Sequence, residues 1–268
     1  IVSSRRALRS SAGDELAVGV EIILPDASAS VRLMVSCHRK GHYRMGEMNR
    51  FFGIYEQELP PDACREIIRR FEADDRKVKG LVGDSKGGGG AVDPSVKSTT
   101  EILLWTHRQG WEDVNRIILR SLQRRLREYM RPFAEAFPIG IHPEEPRITR
   151  YQIGEGFNAW HSDNIGRSPT RVLTAIWYLN TVDEGGETEY KWQSEAIRPV
   201  EGRLLLCPVG WPFIHRGKPP ISGPKYIMIT QLHQASPQAV QAEHEPAQEM
   251  PRRPTAPRPA AHAAPAKS

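Results

Sequence analysis

Between residues 147 and 235 the chain is cut by Gly and Pro turns into short β-branched and aromatic runs, and this punctuation restricts its fold more than any other feature. The runs are Arg147–Ile153, Arg171–Asn180, Thr188–Trp192, Ala196–Arg198, Arg203–Cys207 and Tyr226–Leu232. Six strands at that spacing predict a sandwich or a barrel. On the second run Thr174, Ile176 and Tyr178 share one face, while Leu173, Ala175, Trp177 and Leu179 share the other.

Upstream the period becomes helical. Pro60–Pro61–Asp62 opens a helix over Ala63–Asp74, with Asp62 as the expected cap and Ala63, Ile67, Ile68 and Phe71 on one face. A longer helix is predicted from Trp111 to Arg131, where Val114, Ile117, Ile118, Leu122, Leu126 and Met130 recur at helical spacing. Its second face carries Arg116, Arg120, Arg124, Arg127 and Arg131. This reads as the solvated side of an amphipathic helix rather than a polyanion site. Helices first and strands after predict an α+β domain, a β-sandwich with N-terminal helices packed on one sheet. The glycine-rich stretch 80–90 lacks the GxxxxGK[ST] order and precedes no helix start, so it is expected to be a flexible loop or lid.

Composition tells where the domain ends. Residues 236–268 hold 7 Pro and 9 Ala and almost no large apolar side chains, which predicts a disordered tail. Residues 1–47 open on Ile, contain one strand-like run (Val18–Leu24) and are expected to form a poorly ordered extension. Met48 then begins a stretch, MNRFFGIYEQELPPDAC, that resembles a natural start. The expected folded unit is therefore 48–235, with a helical part 48–135 and a strand part 147–235. The net charge of +5 divides unevenly, since residues 48–235 hold 26 basic and 24 acidic side chains, a difference of only +2. Nucleic acid is thus not the expected partner. No apolar run approaches the ~18 residues of a membrane-spanning helix. No secretion segment is visible, and Cys37, Cys64 and Cys207 form no CxxC. A reducing, cytoplasmic setting is expected.

His161–Ser162–Asp163 is the first candidate for chemistry. If the triplet is a strand, residues i and i+2 point the same way, so one imidazole and one carboxylate can reach one ion. Such a triplet is weak alone, and His142–Pro143–Glu144, beside Pro146, is a similar triplet read as a loop. A distant histidine must complete a site. His215 follows the run Arg203–Cys207 and a turn through Pro212, which can return it to the same end of a sandwich. Two His and one carboxylate on one octahedral face leave open positions, as in non-heme Fe(II) oxygenases, whereas zinc prefers a closed tetrahedron or one open site. Lys225, ten residues after His215, is placed to start the next strand and project inward. There an ammonium is costly unless an anion meets it.

Together these stretches resemble the prolyl 4-hydroxylase-like branch of the 2-oxoglutarate/Fe(II) dioxygenases: RYQIGEGFNAWHSD (150–163), RVLTAIWYLN (171–180), DEGGETEY (183–190) and HRGKPPISGPKY (215–226). The resemblance covers about 147–233, with a looser likeness over Tyr55–Cys64 and Val92–Ser98. It implies a double-stranded β-helix (jelly-roll) core. It also implies His161, Asp163 and His215 as Fe(II) ligands and catalytic residues, and Lys225 as the cation that pairs with the distal carboxylate of 2-oxoglutarate. Tyr178 matches a tyrosine that hydrogen-bonds the same carboxylate, Tyr151 a tyrosine lining the cosubstrate pocket, and Thr188 a further pocket position. The implied reaction spends O2 and decarboxylates 2-oxoglutarate to succinate while hydroxylating a C–H bond, with ascorbate as an optional reductant. Because relatives that halogenate replace the Asp163 carboxylate by a small residue, its presence points to hydroxylation.

The expected substrate is a peptidyl proline, with a free amino acid or other small metabolite as the alternative. A non-catalytic or nucleic-acid-binding protein on the same scaffold is the reading from another class. Loops 80–100 and 164–170 are expected to frame the substrate, with Trp160, Trp192 and Trp211 as candidates for the entrance.

Overall fold

The computed structural model describes residues 15–23, 30–38, 48–49, 51–83, 90–136, 141–164 and 169–234. The Pro/Ala-rich tail, most of the glycine run and part of loop 164–170 lie outside the described residues. Strands β1 (Glu15–Ile23) and β2 (Ser30–His38) pair antiparallel, Glu15 with His38 through Ile23 with Ser30. Only β1 overlaps the strand-like run Val18–Leu24. There follow β3 (Met48–Asn49), β4 (Phe52–Tyr55), α1 (Pro61–Ala73), β5 (Val78–Lys79), β6 (Thr100–Leu103) and α2 (Glu112–Met130). The strand half contains β7 (Ile141–Pro143), β8 (Arg147–Tyr151), β9 (Phe157–His161), β10 (Arg171–Tyr178) and β11 (Thr188–Tyr190). It ends with β12 (Glu195–Ile197), β13 (Leu204–Pro208), β14 (His215–Gly217) and β15 (Lys225–Gln234).

The strands of the main body form two antiparallel sheets. The larger runs β3-β4-β13-β10-β15-β8-β6-β5, with β7 also on β15; the smaller runs β12-β11-β14-β9. The two faces of β10 divide the interior as the alternation predicts. Leu173, Ala175 and Trp177 pack outward against Ile67 and Phe71 of α1 and Ile118 and Leu122 of α2. The Trp177 indole Nε1 donates to Ser121 Oγ of α2 at 2.9 Å, so the large ring is buried without stranding its N–H. Ile176 and Tyr178 point the other way, toward Tyr190 and Ile197 of the small sheet. The helices therefore cover one face of the large sheet, and the small sheet covers the other. This is a double-stranded β-helix with helices outside.

Three local expectations change. Helix α1 is capped by extended Pro60 with Pro61 at its first turn, and Asp62 lies inside that turn rather than capping it. On α2, Ile117 is 40% exposed and does not join the buried stripe of Val114, Ile118, Leu122 and Leu126. His142–Pro143 belongs to strand β7, not a loop, with His142 opposite His233 of β15. The five arginines of the second α2 face are exposed. Arg124, with neighbouring Arg125, grips the buried carboxylate of Glu58.

The turn before β13 joins the sheet to the start of α1. Gly202 has φ +78°, and its carbonyl accepts from the amides of Glu58 (2.7 Å) and Leu59 (3.1 Å). A Cβ there would stand 2.4 Å from the Leu59 carbonyl oxygen. Gly202→Ala combines a left-handed φ with a backbone clash and is expected to cost about 2–3 kcal/mol, seen as a melting point several degrees lower. A melting point within one degree of the parent would contradict this strain.

Candidate active site

Strands β9 and β14 are neighbours in the small sheet, and their register sets His161 opposite His215. The ring centroids are 4.3 Å apart. Each ring is held by the backbone: His161 Nδ1 bonds to Ala159 O (2.9 Å) and His215 Nδ1 to Phe213 O (3.0 Å). A carbonyl only accepts, so Nδ1 carries the proton in both rings and the Nε2 lone pairs are free to bind. Both Nε2 atoms face Asp163, at 3.8 Å from Oδ1 for His161 and 3.7 Å from Oδ2 for His215. The donor atoms of the three side chains lie within 4.8 Å of one another, and no other such trio of His, Cys, Asp or Glu converges among the described residues.

Asp163 is not on the strand. β9 ends at His161, and the carboxylate returns through the turn that follows, where Thr174 Oγ1 of β10 donates to its Oδ2 at 2.6 Å. Burial opposes ionisation of Asp163, but the His215 and His161 rings, the Thr174 hydroxyl and Arg171 hold its carboxyl below the usual range. Burial, with His215 close by, pushes His161 down to about 4. A neutral imidazole beside an ionised carboxylate is the donor set a divalent cation of intermediate hardness needs, and the residues fit Fe(II). Phe157 stacks on the His161 ring at 3.6 Å and fixes its plane.

A second charged group lies in the same cleft. Lys225 opens β15 as expected and is 2% exposed. Its Nζ donates to Gly186 O at 3.0 Å and sits 4.3 Å from the centroid of the Tyr151 ring, the cross-strand partner of Lys225 on β8. No carboxylate of the described residues lies within 4.0 Å of it. Burial pushes the amine down to about 8, and Glu187 works against that shift. Tyr178 and Thr188, from different sheets, share a hydrogen bond of 2.8 Å beside it. All four expected cosubstrate residues are thus buried together, with Tyr151, Thr188 and Lys225 on the cleft wall and the Tyr178 hydroxyl behind Thr188.

Ile176, Ile227 and Ile229 form an apolar belt between the two polar ends of the cleft. Sequence reasoning missed the end away from Lys225, built by Lys97, Glu101, Arg147 and Gln231. Arg147, Thr149 and Tyr151 alternate along β8, so the period that placed Tyr151 inside also places the other two there. Trp160, Trp192 and Trp211, expected near an entrance, do not line the cleft. Arg216 stacks on Trp160 at 4.6 Å, and Lys191 lies over both Trp160 and Trp192.

Residues 146–233 match the family model of the 2OG-Fe(II) oxygenase superfamily. This stretch is a 2OG-Fe(II) oxygenase domain. A domain of that family draws on Fe(II), 2-oxoglutarate and O2 for its chemistry, which makes this stretch a dioxygenase domain. The oxygenase fold is similar to a prolyl hydroxylase from Trichoplax adhaerens, solved in complex with a hypoxia inducible factor oxygen degradation domain peptide fragment. The TM-score is 0.58 at 18% identity, covering 71% of this chain and 87% of that one. At that identity the likeness speaks for the fold. The viral collagen prolyl hydroxylase of Paramecium Bursaria Chlorella virus-1 is similar at TM-score 0.48 and 19% identity, covering 70% of this chain and 98% of that chain. A Pseudomonas putida prolyl-4-hydroxylase gives 0.47 at 13%, over 69% and 93% of the two chains. No curated protein matches the oxygenase chain. Among the described residues no helix is long and apolar enough to cross a membrane.

Proposed function

We propose that His161, Asp163 and His215 hold Fe(II) in this oxygenase, and that Lys225, Tyr178, Tyr151 and Thr188 receive 2-oxoglutarate. The folded catalytic unit is taken as 48–235. One observation carries the reading: a buried ammonium with no carboxylate partner shares a cleft with a trio of neutral-imidazole and carboxylate donors. A dicarboxylic keto acid would suit that layout, one carboxylate held by Lys225 and the rest of the molecule turned toward the three donors. Bound there, the metal and keto acid supply the oxidising power for hydroxylation, with release of succinate and CO2. The protein's own part is to orient the histidines through Ala159 and Phe213, hold Asp163 ionised through Thr174, and keep the cleft wall dry with Ile176, Ile227 and Ile229.

The acceptor is proposed to be a proline-type C–H. Support comes from the neighbour that carries a hypoxia inducible factor peptide. Cytoplasmic residence is supported by two buried free thiols, Cys64 and Cys207. The arginine face of α2 lies across the large sheet from the cleft, which argues against nucleic acid as the acceptor. Succinate release is measured with Fe(II), 2-oxoglutarate and ascorbate against proline peptides, free amino acids and methylated oligonucleotides. Stimulation by a proline compound is expected. Stimulation by oligonucleotides alone would replace the acceptor, and an absence of 2-oxoglutarate turnover under every condition would contradict the enzyme reading.

A further inference from the structure

The Arg147 end of the cleft carries more charge than an ordinary prolyl ring requires. Glu101 of β6 pairs with Lys97 at 2.6 Å, and all but 8% of each side chain is buried. Glu101 also accepts from Thr99 Oγ1 at 2.9 Å and lies 3.8 Å from Arg147 Nε. Arg147 reaches on to Glu144 at 3.4 Å, but Glu144 is already engaged by Arg171 at 2.6 Å and by His233 at 3.0 Å. Three cations (Lys97, Arg147, Arg171) face the carboxylates of Glu101 and Glu144. Asp163 faces the same three cations, so one positive charge would be left unmatched once a metal ion engages that carboxylate. Buried charge of one sign calls for a counter-ion.

A second observation points to a ligand at the same place. Thr149 pairs with Glu101 across β6 and β8, lines the cleft and is 1% exposed. Its hydroxyl has no hydrogen-bond partner. A buried hydroxyl left unpaired is unfavourable, and a molecule in the cleft would complete it. The 2-oxoglutarate assigned above is drawn to Lys225, at the opposite end of the Ile belt, so its distal carboxylate does not serve Arg147.

We propose that the molecule to be hydroxylated presents a free carboxylate to Lys97 and Arg147, with Thr149 donating a further hydrogen bond. The inference rests on the hydroxylase reading and narrows it. A proline-type acceptor inside a chain brings no charge to this end, whereas a free amino or imino acid, or a residue at a peptide's C-terminus, does. Arg147 holds Glu101 and Glu144 only at 3.8 and 3.4 Å, so its guanidinium would turn from these long contacts to a planar carboxylate brought by the substrate.

The test is calorimetric. The full chain, held anaerobically with Fe(II), is first titrated with 2-oxoglutarate; a missing isotherm at this step counts against the hydroxylase reading and not against the subsite. The loaded protein is then titrated with L-proline, the other free L-amino acids and a proline-terminated tripeptide, each beside its carboxamide. At least one acid is expected to bind tenfold or more tightly than its own amide. Binding of the single amino acids alone would identify a free acid, and binding of the tripeptide acid a C-terminal residue. Arg147→Gln is expected to erase the acid-over-amide preference, Arg147→Lys to keep part of it, and Thr149→Val to weaken acid binding about threefold to tenfold. Equal affinity for acids and amides, binding of amides alone, or no binding by any acid overturns the proposal. So does an undiminished preference in Arg147→Gln. The comparison of acid with amide on the parent protein decides the matter even where a variant fails to fold.

Discussion

Asp163→Ala is expected to reduce succinate formation to the level of an enzyme-free control, a loss of about a thousandfold or more. The carboxylate is the one anion in the proposed donor set, and without it two neutral imidazoles would have to hold a dication alone. Loss of a residue that merely orients a ligand typically costs 10–100-fold, so loss of a ligand itself should exceed that range. The effect should not arise from unfolding. Asp163 is buried among two histidines, and its removal leaves one hydroxyl, that of Thr174, without its acceptor, a cost of about 1–3 kcal/mol. The metal-free variant should therefore stay folded and melt a few degrees below the parent. Turnover like that of the parent in Asp163→Ala would refute the iron assignment, and collapse of the fold would move the residue's role to structure.

Lys225→Ala should raise the 2-oxoglutarate requirement by about a hundredfold to a thousandfold. Removing one partner of a buried ion pair costs about 3–5 kcal/mol, because the other charge stays buried and unpaired, and each 1.4 kcal/mol is a factor of ten in affinity. An unchanged KM would place the keto acid elsewhere. The same residue sets a pH signature. In the ligand-free protein burial holds the amine at about 8, below its ordinary 10.5, while a bound carboxylate favours the ammonium. Binding therefore takes up a proton as pH rises past about 8, and affinity for 2-oxoglutarate should fall, by at most tenfold per pH unit, until the raised pKa of the complex is passed. Lys225→Ala should lose that slope. Without ligand the sign reverses for stability: the unfolded amine holds its proton to higher pH than the folded one, so stability should rise between about pH 8 and 10.5.

The parts of this site that were legible in the sequence are those whose signal is local. The alternation along Arg171–Asn180 separated Tyr178 from Trp177, and both faces are filled as expected. The interval from His215 to Lys225 placed the lysine at the start of a strand, where it stands. Strands β9 and β14, which carry the two histidines, were harder to see. Phe157–His161 is only half-buried and includes exposed Asn158 and Trp160, while His215–Gly217 is three residues long between turns. The Lys97–Glu101–Arg147 cluster was not legible at all. Its members meet because Glu101 pairs with Thr149 and Lys97 bridges to Phe157, contacts between segments some fifty to sixty residues apart. Glu144 lies in the connection between β7 and β8, yet it is a buried carboxylate held at about 2. Burial opposes that shift, and His233, Arg171 and Arg147 overcome it.

Fe(II) stoichiometry, measured by anaerobic equilibrium dialysis of the full chain beside a His161→Ala/His215→Ala variant, bears most directly on the central claim. One Fe(II) per chain in the parent, bound more tightly when 2-oxoglutarate is present, and none in the double variant is the expected result. Equal iron retention by both proteins, or none by either, would contradict it.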